Sequence, residues 1–81
     1  MMPRYFFDTF DGEIAIEDDA GLVFDDIDAA RDEATRGLAD LARDGIPGAV
    51  RKELAVEVRD EERRLLLRAS LWFEVAVVTE L

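Results

Sequence analysis

A single apolar stripe at helical spacing runs through this chain, while its other hydrophobic segments alternate or form short runs, and that contrast decides the class of fold. Ile27, Ala30, Ala34, Leu38 and Leu41 recur every three or four residues, with Asp32, Arg36, Asp40 and Arg43 on the wet side. Asp26 is placed to cap that helix, because a carboxylate there accepts amides of the first turn and complements the helix dipole. Asp25 and Asp28 fit the same role, and Gly45 closes the helix. Ala30, Ala34 and Gly37 make a face small enough to lie close to a sheet. Gly37 costs about 1 kcal/mol of helix propensity unless close packing uses it, so it reads as a packing glycine.

Strands occupy both flanks of the helix. Arg4 to Phe10 is aromatic, with Tyr5 and Phe7 on one side and Phe6 and Phe10 on the other, and Asp11-Gly12 then supplies a turn. Glu13 to Glu17 alternates as a half-buried second strand with Ile14 and Ile16 on one face. Asp18, Asp19 and Gly21 form another turn, and Leu22 to Phe24 is a third, minor strand. After Ile46-Pro47-Gly48, Glu53 to Arg59 alternates with Leu54, Val56 and Val58 inward; Asp60 to Arg63 turns, and Arg64 to Leu71 returns. These elements predict an α+β fold of order β-β-(β)-α-β-β, a small antiparallel sheet of two hairpins with one helix packed on one face. Residues 1–81 form a single domain, in which 72–81 is an apolar C-terminal tail or extra strand. One helix covers one sheet face, yet Leu71, Phe73, Val75 and Val77 alternate with Trp72, Ala76 and Val78, so both sides of this segment are apolar. A second copy of the chain would supply the missing cover. That makes Leu71, Trp72, Phe73, Val75 and Val77 the candidate interface of a homodimer.

The chain has no histidine and no cysteine, which removes the commonest general base, the usual transition-metal ligands and the thiol nucleophile. Its five glycines match neither the dinucleotide fingerprint nor the phosphate loop. No cofactor and no catalytic or metal site is therefore expected. Glu17, Asp18 and Asp19 could offer oxygens to a hard cation, but such residues are more often turn formers that bond their own backbone. A formal net charge of −10 repels phosphate and argues against nucleic acid. Thirteen acids and four bases fall before Gly45, against seven and six from there on, so the acidic part could steer a basic protein partner. Arg59, Arg63, Arg64, Arg68 and Lys52 form the only basic concentration, expected to pair internally. The opening residues lack the pattern of a signal peptide, and the longest apolar run falls short of a bilayer span. No membrane association is expected, and the cytoplasm is the expected compartment.

Pro3-Arg4-Tyr5-Phe6-Phe7, the Asp11-Gly12 turn, the turn at Asp18, Asp19 and Gly21, and Asp26 followed by Ala29-Ala30-Arg31 and Glu33-Ala34 together resemble an uncharacterised family of short bacterial proteins, common in alphaproteobacteria. The resemblance covers roughly residues 2–71 and implies one cytoplasmic domain with no assigned activity. Three positions depart from the family pattern: Asp8 stands where histidine is frequent, Arg63 where glycine is frequent, and Ala69-Ser70-Leu71 where Val-Pro-Phe is usual. The leading expectation is a non-enzymatic protein-interaction or accessory module, homodimeric through a sheet edge or its C-terminal segment. An acidic, antitoxin-like binder of a basic protein is the alternative, and a carboxylate-based or cation-dependent enzyme is a third.

Overall fold

A computed structural model describes residues 2–79. Five strands and one helix follow in the order β1 (Arg4–Phe10), β2 (Ala15–Ile16), β3 (Leu22–Val23), α1 (Ile27–Gly45), β4 (Arg51–Arg59) and β5 (Leu65–Glu74). Every pairing is antiparallel, the sheet order is β2-β1-β4-β5, and β3 pairs with β1 on the same side as β2. The α+β class and the two hairpins are as the sequence predicts.

Alternation along β4 builds the core. Leu54, Val56 and Val58 point to the helix side and are fully buried there, each worth about 1.5–3 kcal/mol of apolar burial. Val56 and Val58 join Tyr5, Ala30 and Ala34 in one cluster, with Phe7, Phe24, Leu38, Leu41, Leu67 and Ala69 packed around it. Phe24 stands edge-on to Phe7 at 6.0 Å between ring centroids. Asp26 caps α1, its Oδ1 accepting the Ala29 amide at 2.9 Å. At the other end Lys52 Nζ donates to the Gly45 carbonyl at 3.2 Å, placing a cation where the helix dipole is negative.

Four details differ from the sequence expectation. The second strand shrinks from Glu13–Glu17 to two residues, and Ile14 and Ile16 stay 59% and 60% exposed rather than half-buried. Carboxylates replace the strand pairing there: Asp11 accepts the amides of Glu13 and Ile14, and Asp18 accepts that of Phe7. The helix lies over β4 and β5, leaving β2 uncovered. Gly37 is not sterically required, since a methyl group there would meet Val56 Cγ2 at 3.8 Å, an ordinary contact. The fourth strand starts at Arg51, two residues early, and so gives Phe73 and Glu74 partners; the fifth strand runs to Glu74, residues 75–79 form a tail, and residues 80–81 of the expected tail lie outside the described residues. That tail extends away from the sheet rather than over it, with Val77 and Val78 89% and 92% exposed. A radius of gyration of 15.0 Å, against about 12 Å for a compact chain of this length, reflects the same extension.

Candidate functional site

Register places the side chains that no helix covers. Residues directly opposite in an antiparallel sheet share a face, so Phe6, Asp8 and Phe10 of β1 lie with Arg59, Glu57 and Ala55 of β4, and the last two continue to Arg68 and Ser70 of β5. Glu53 with Trp72, and Arg51 with Glu74, extend this open face towards the chain's end. Its charges form a chain of alternating sign. Arg59 donates through Nε to Asp8 Oδ2 at 3.1 Å and through Nη2 to Glu57 Oε1 at 2.9 Å. Arg68 reaches Glu57 Oε2 at 3.3 Å and Glu53 Oε2 at 3.5 Å. Arg51 pairs with Glu74 at 2.7 Å. Hydrogen bonding to Glu57, with further support from Asp8, pushes the Arg59 pKa up, so this cation stays charged at any ordinary pH.

Asp8 is the most heavily used carboxylate of the face: it accepts Arg59 Nε, Arg63 Nη2 and the Asp18 amide. Arg63 sits in the β4–β5 turn at φ 64°, a left-handed conformation that costs a side-chain-bearing residue about 1 kcal/mol or more. Its guanidinium lies 5.8 Å from the Phe6 ring centroid, and its carbonyl accepts Arg59 Nη1 at 3.0 Å. Asp8 and Arg63 thus meet as an ion pair, and a glycine at 63 would suit the left-handed backbone there. A shallow depression of about 460 Å³ between Asp8, Phe10, Glu17, Glu57 and Arg68 opens beside this network. Every carboxylate around it stands against a guanidinium, Glu17 at 3.7 Å from Arg63.

The acidic turn at Glu17, Asp18 and Asp19 is built around Asp18. Oδ1 accepts the amides of Ala20 and Gly21, and Oδ2 that of Phe7. Partial burial works to raise the Asp18 pKa, but these three amides and the Arg63 charge outweigh it and hold the pKa below the ordinary carboxylate value. Among the described residues no group of three or more acids stands close enough to hold a metal ion. Arg59, Arg63, Arg64 and Arg68 pair internally as expected, Arg64 with Asp60 at 2.8 Å, whereas Lys52 serves the helix end instead.

Of the five candidate interface residues, Leu71, Trp72 and Phe73 lie within β5, and Val75 and Val77 lie in the tail. Trp72 is 62% exposed on the open face, whereas Leu71 and Phe73 point to the helix side and Phe73 is half-buried. The structure therefore splits this set between two faces of one strand.

What joins those residues is the edge of the sheet. Val75 N–H donates to the Val50 carbonyl at 2.8 Å, which makes 50 and 75 a hydrogen-bonded pair. Bonded and non-bonded pairs alternate along an antiparallel ladder. Phe73, Leu71, Ala69 and Leu67 therefore turn their backbone groups to β4, and Arg68, Ser70, Trp72 and Glu74 turn theirs outward. Among the described residues β4 is the only strand beside β5, so these four present free N–H and C=O groups. Sequence patterning marked the apolar side chains and offered a sheet edge without saying which, because which strand lies outermost depends on long-range pairing. It missed the ion-pair chain, whose only signal was the charge at Asp8, Glu53, Glu57, Arg59 and Arg68, alternate positions of three strands.

Among known proteins, the family model described as a domain of unknown function (DUF6894) matches residues 4–72. Neither the curated proteins nor the solved structures contain a match.

Proposed function

The chain belongs to the DUF6894 family of domains of unknown function, and we propose that it is a protein-interaction module, without chemistry of its own, that takes a partner strand along the free edge of β5. One observation carries this reading: a ten-residue edge strand with four residues' backbone groups turned outward, flanked by exposed Leu65, Leu66, Trp72 and Val75. Such an edge is a ready template for strand addition, since main-chain hydrogen bonds supply affinity and the flanking side chains supply selectivity. The cytoplasm is the proposed setting.

Ser70→Pro tests it. Proline removes the outward Ser70 N–H while leaving every bond to β4 in place, and an edge position tolerates it. Proteins retained from cell extract by the intact chain, at low and high salt alike, are expected to be lost with Ser70→Pro. An unchanged retained set would overturn the reading.

A basic partner is the second reading, favoured by the 13 acids among the first 44 residues. Retention that disappears at high salt and is indifferent to Ser70→Pro is its signature.

A further inference from the structure

Resting on that reading, we infer that the partner strand is β5 of a second copy of this chain, paired antiparallel about Leu71 so that Arg68 of each copy faces Glu74 of the other. The register follows from which groups are free. Within the regular ladder from Leu67 to Glu74, bounded on one side by the register shift at Val58 and Arg59, the outward-facing backbone groups belong to Arg68, Ser70, Trp72 and Glu74, a set symmetric about position 71. Pairing about Leu71 matches 68 with the partner's 74 and 70 with the partner's 72, and so satisfies the free groups of all four residues in both copies. Centring on Ser70 or Trp72 instead leaves one of the four without a mate from the set, and sets Arg68 opposite Trp72 or Glu74 opposite Ser70.

Charge selects the same register. Opposite charges directly across strands attract, and a two-fold axis makes the favourable pair twice. Both partners already belong to the open-face chain, Arg68 through Glu53 and Glu57 and Glu74 through Arg51. The row Asp8, Glu57, Arg68 therefore continues into the partner's Glu74 and Arg51. Because the paired residues are all even-numbered, the axis stands perpendicular to the sheet. Both helices then lie on one face, and the two open faces merge into one.

Apolar cover is the third argument. Val75 to Val78 leave the sheet with Val77 and Val78 89% and 92% exposed. About Leu71 they run beside Arg64 to Leu67 of the other copy, where Leu65 and Leu66 are likewise exposed. An isologous interface covers both patches at once.

Two charge reversals test the register. Arg68→Glu alone and Glu74→Arg alone each set like charges opposite one another in the homodimer, so each is expected to show the mass of one chain by light scattering. An equimolar mixture restores both opposite-charge pairs and is expected to show the mass of two. In-chain effects of either substitution are the same alone and mixed, so the recovery reports the contact between copies. Leu71→Cys gives an independent readout, because the chain has no cysteine and a non-hydrogen-bonded pair holds its Cα atoms about 4.5 Å apart, within disulfide range. Mild oxidation is expected to cross-link Leu71→Cys and to leave Leu67→Cys and Phe73→Cys as single chains. A mixture that stays monomeric, or cross-linking that is strongest at 67 or 73, would overturn the inference. If either occurs while extract proteins still bind in a Ser70→Pro-sensitive way, the edge reading stands and the partner is another protein; if that binding is absent too, both fall.

Discussion

The two edges of this sheet solve one problem in opposite ways. On the β1 side, two strands of two residues each and a pair of aspartate-centred turns occupy the outward backbone groups, Asp18 taking the Phe7 amide where a longer strand would have paired. On the β5 side, a ten-residue strand has β4 as its only neighbour among the described residues, with exposed aliphatic and aromatic side chains beside its outward groups. Short edges with inserted charges are the usual protection against unwanted strand pairing. On the function proposed above, the edge left open is the one kept for use.

Removing the protection should show the largest effect on the single chain. Asp18→Ala strands three amides at once and is expected to cost about 2 kcal/mol, partly offset by water at this half-exposed site. Urea unfolding checks the cost, and faster amide exchange at Phe7 and Gly21 localises it. By contrast Ser70→Pro, on the open edge, should leave single-chain stability within about 0.5 kcal/mol.

Acid sharpens the same contrast. The lowered Asp18 pKa means that its carboxylate stabilises the fold above its ordinary value of 3.8, and that this contribution is lost as the pH falls through the depressed value. Asp11 and Asp60 act in the same direction, each lowered chiefly by backbone amides, from Ile14 and Arg64 respectively. Stability should therefore fall below about pH 4, and the fall should be shallower in Asp18→Ala.

A smaller difference tests the turn that leads into the open edge. Arg63→Gly and Arg63→Ala both lose the contacts to Asp8 and Phe6, but only glycine relaxes the left-handed backbone. Arg63→Gly should be the more stable of the two by about 1 kcal/mol in thermal or urea unfolding. Smallest of all, and remote from both edges, Gly37→Ala should raise stability by under about 1 kcal/mol, because helix propensity improves where a methyl group fits.

Local signals carried most of the fold. The helix cap at Asp26, the inward set Leu54, Val56 and Val58, and the aspartate turns all depend on a few neighbouring residues, and all stand as the sequence implies. Strand order, the shortening of β2 and the extension of β4 back to Arg51 depend on partners many residues away. Nothing in Arg51-Lys52 announces a strand; their pairing with Phe73 and Glu74 does. The candidate site was half legible for the same reason. Trp72, Val75 and Val77 stood out by composition, whereas the outward groups of Arg68, Ser70 and Glu74 become visible only once β5 is known to be outermost. The Ser70 N–H points out of the sheet.

The most direct test is solution mass by light-scattering chromatography across a dilution series, for the intact chain and for Ser70→Pro side by side. A bare β5 edge that receives a second copy gives the intact chain twice its single mass at high concentration, falling on dilution, while Ser70→Pro stays at the single mass throughout. An intact chain of single mass at every concentration, or a dimer that survives Ser70→Pro, would contradict it.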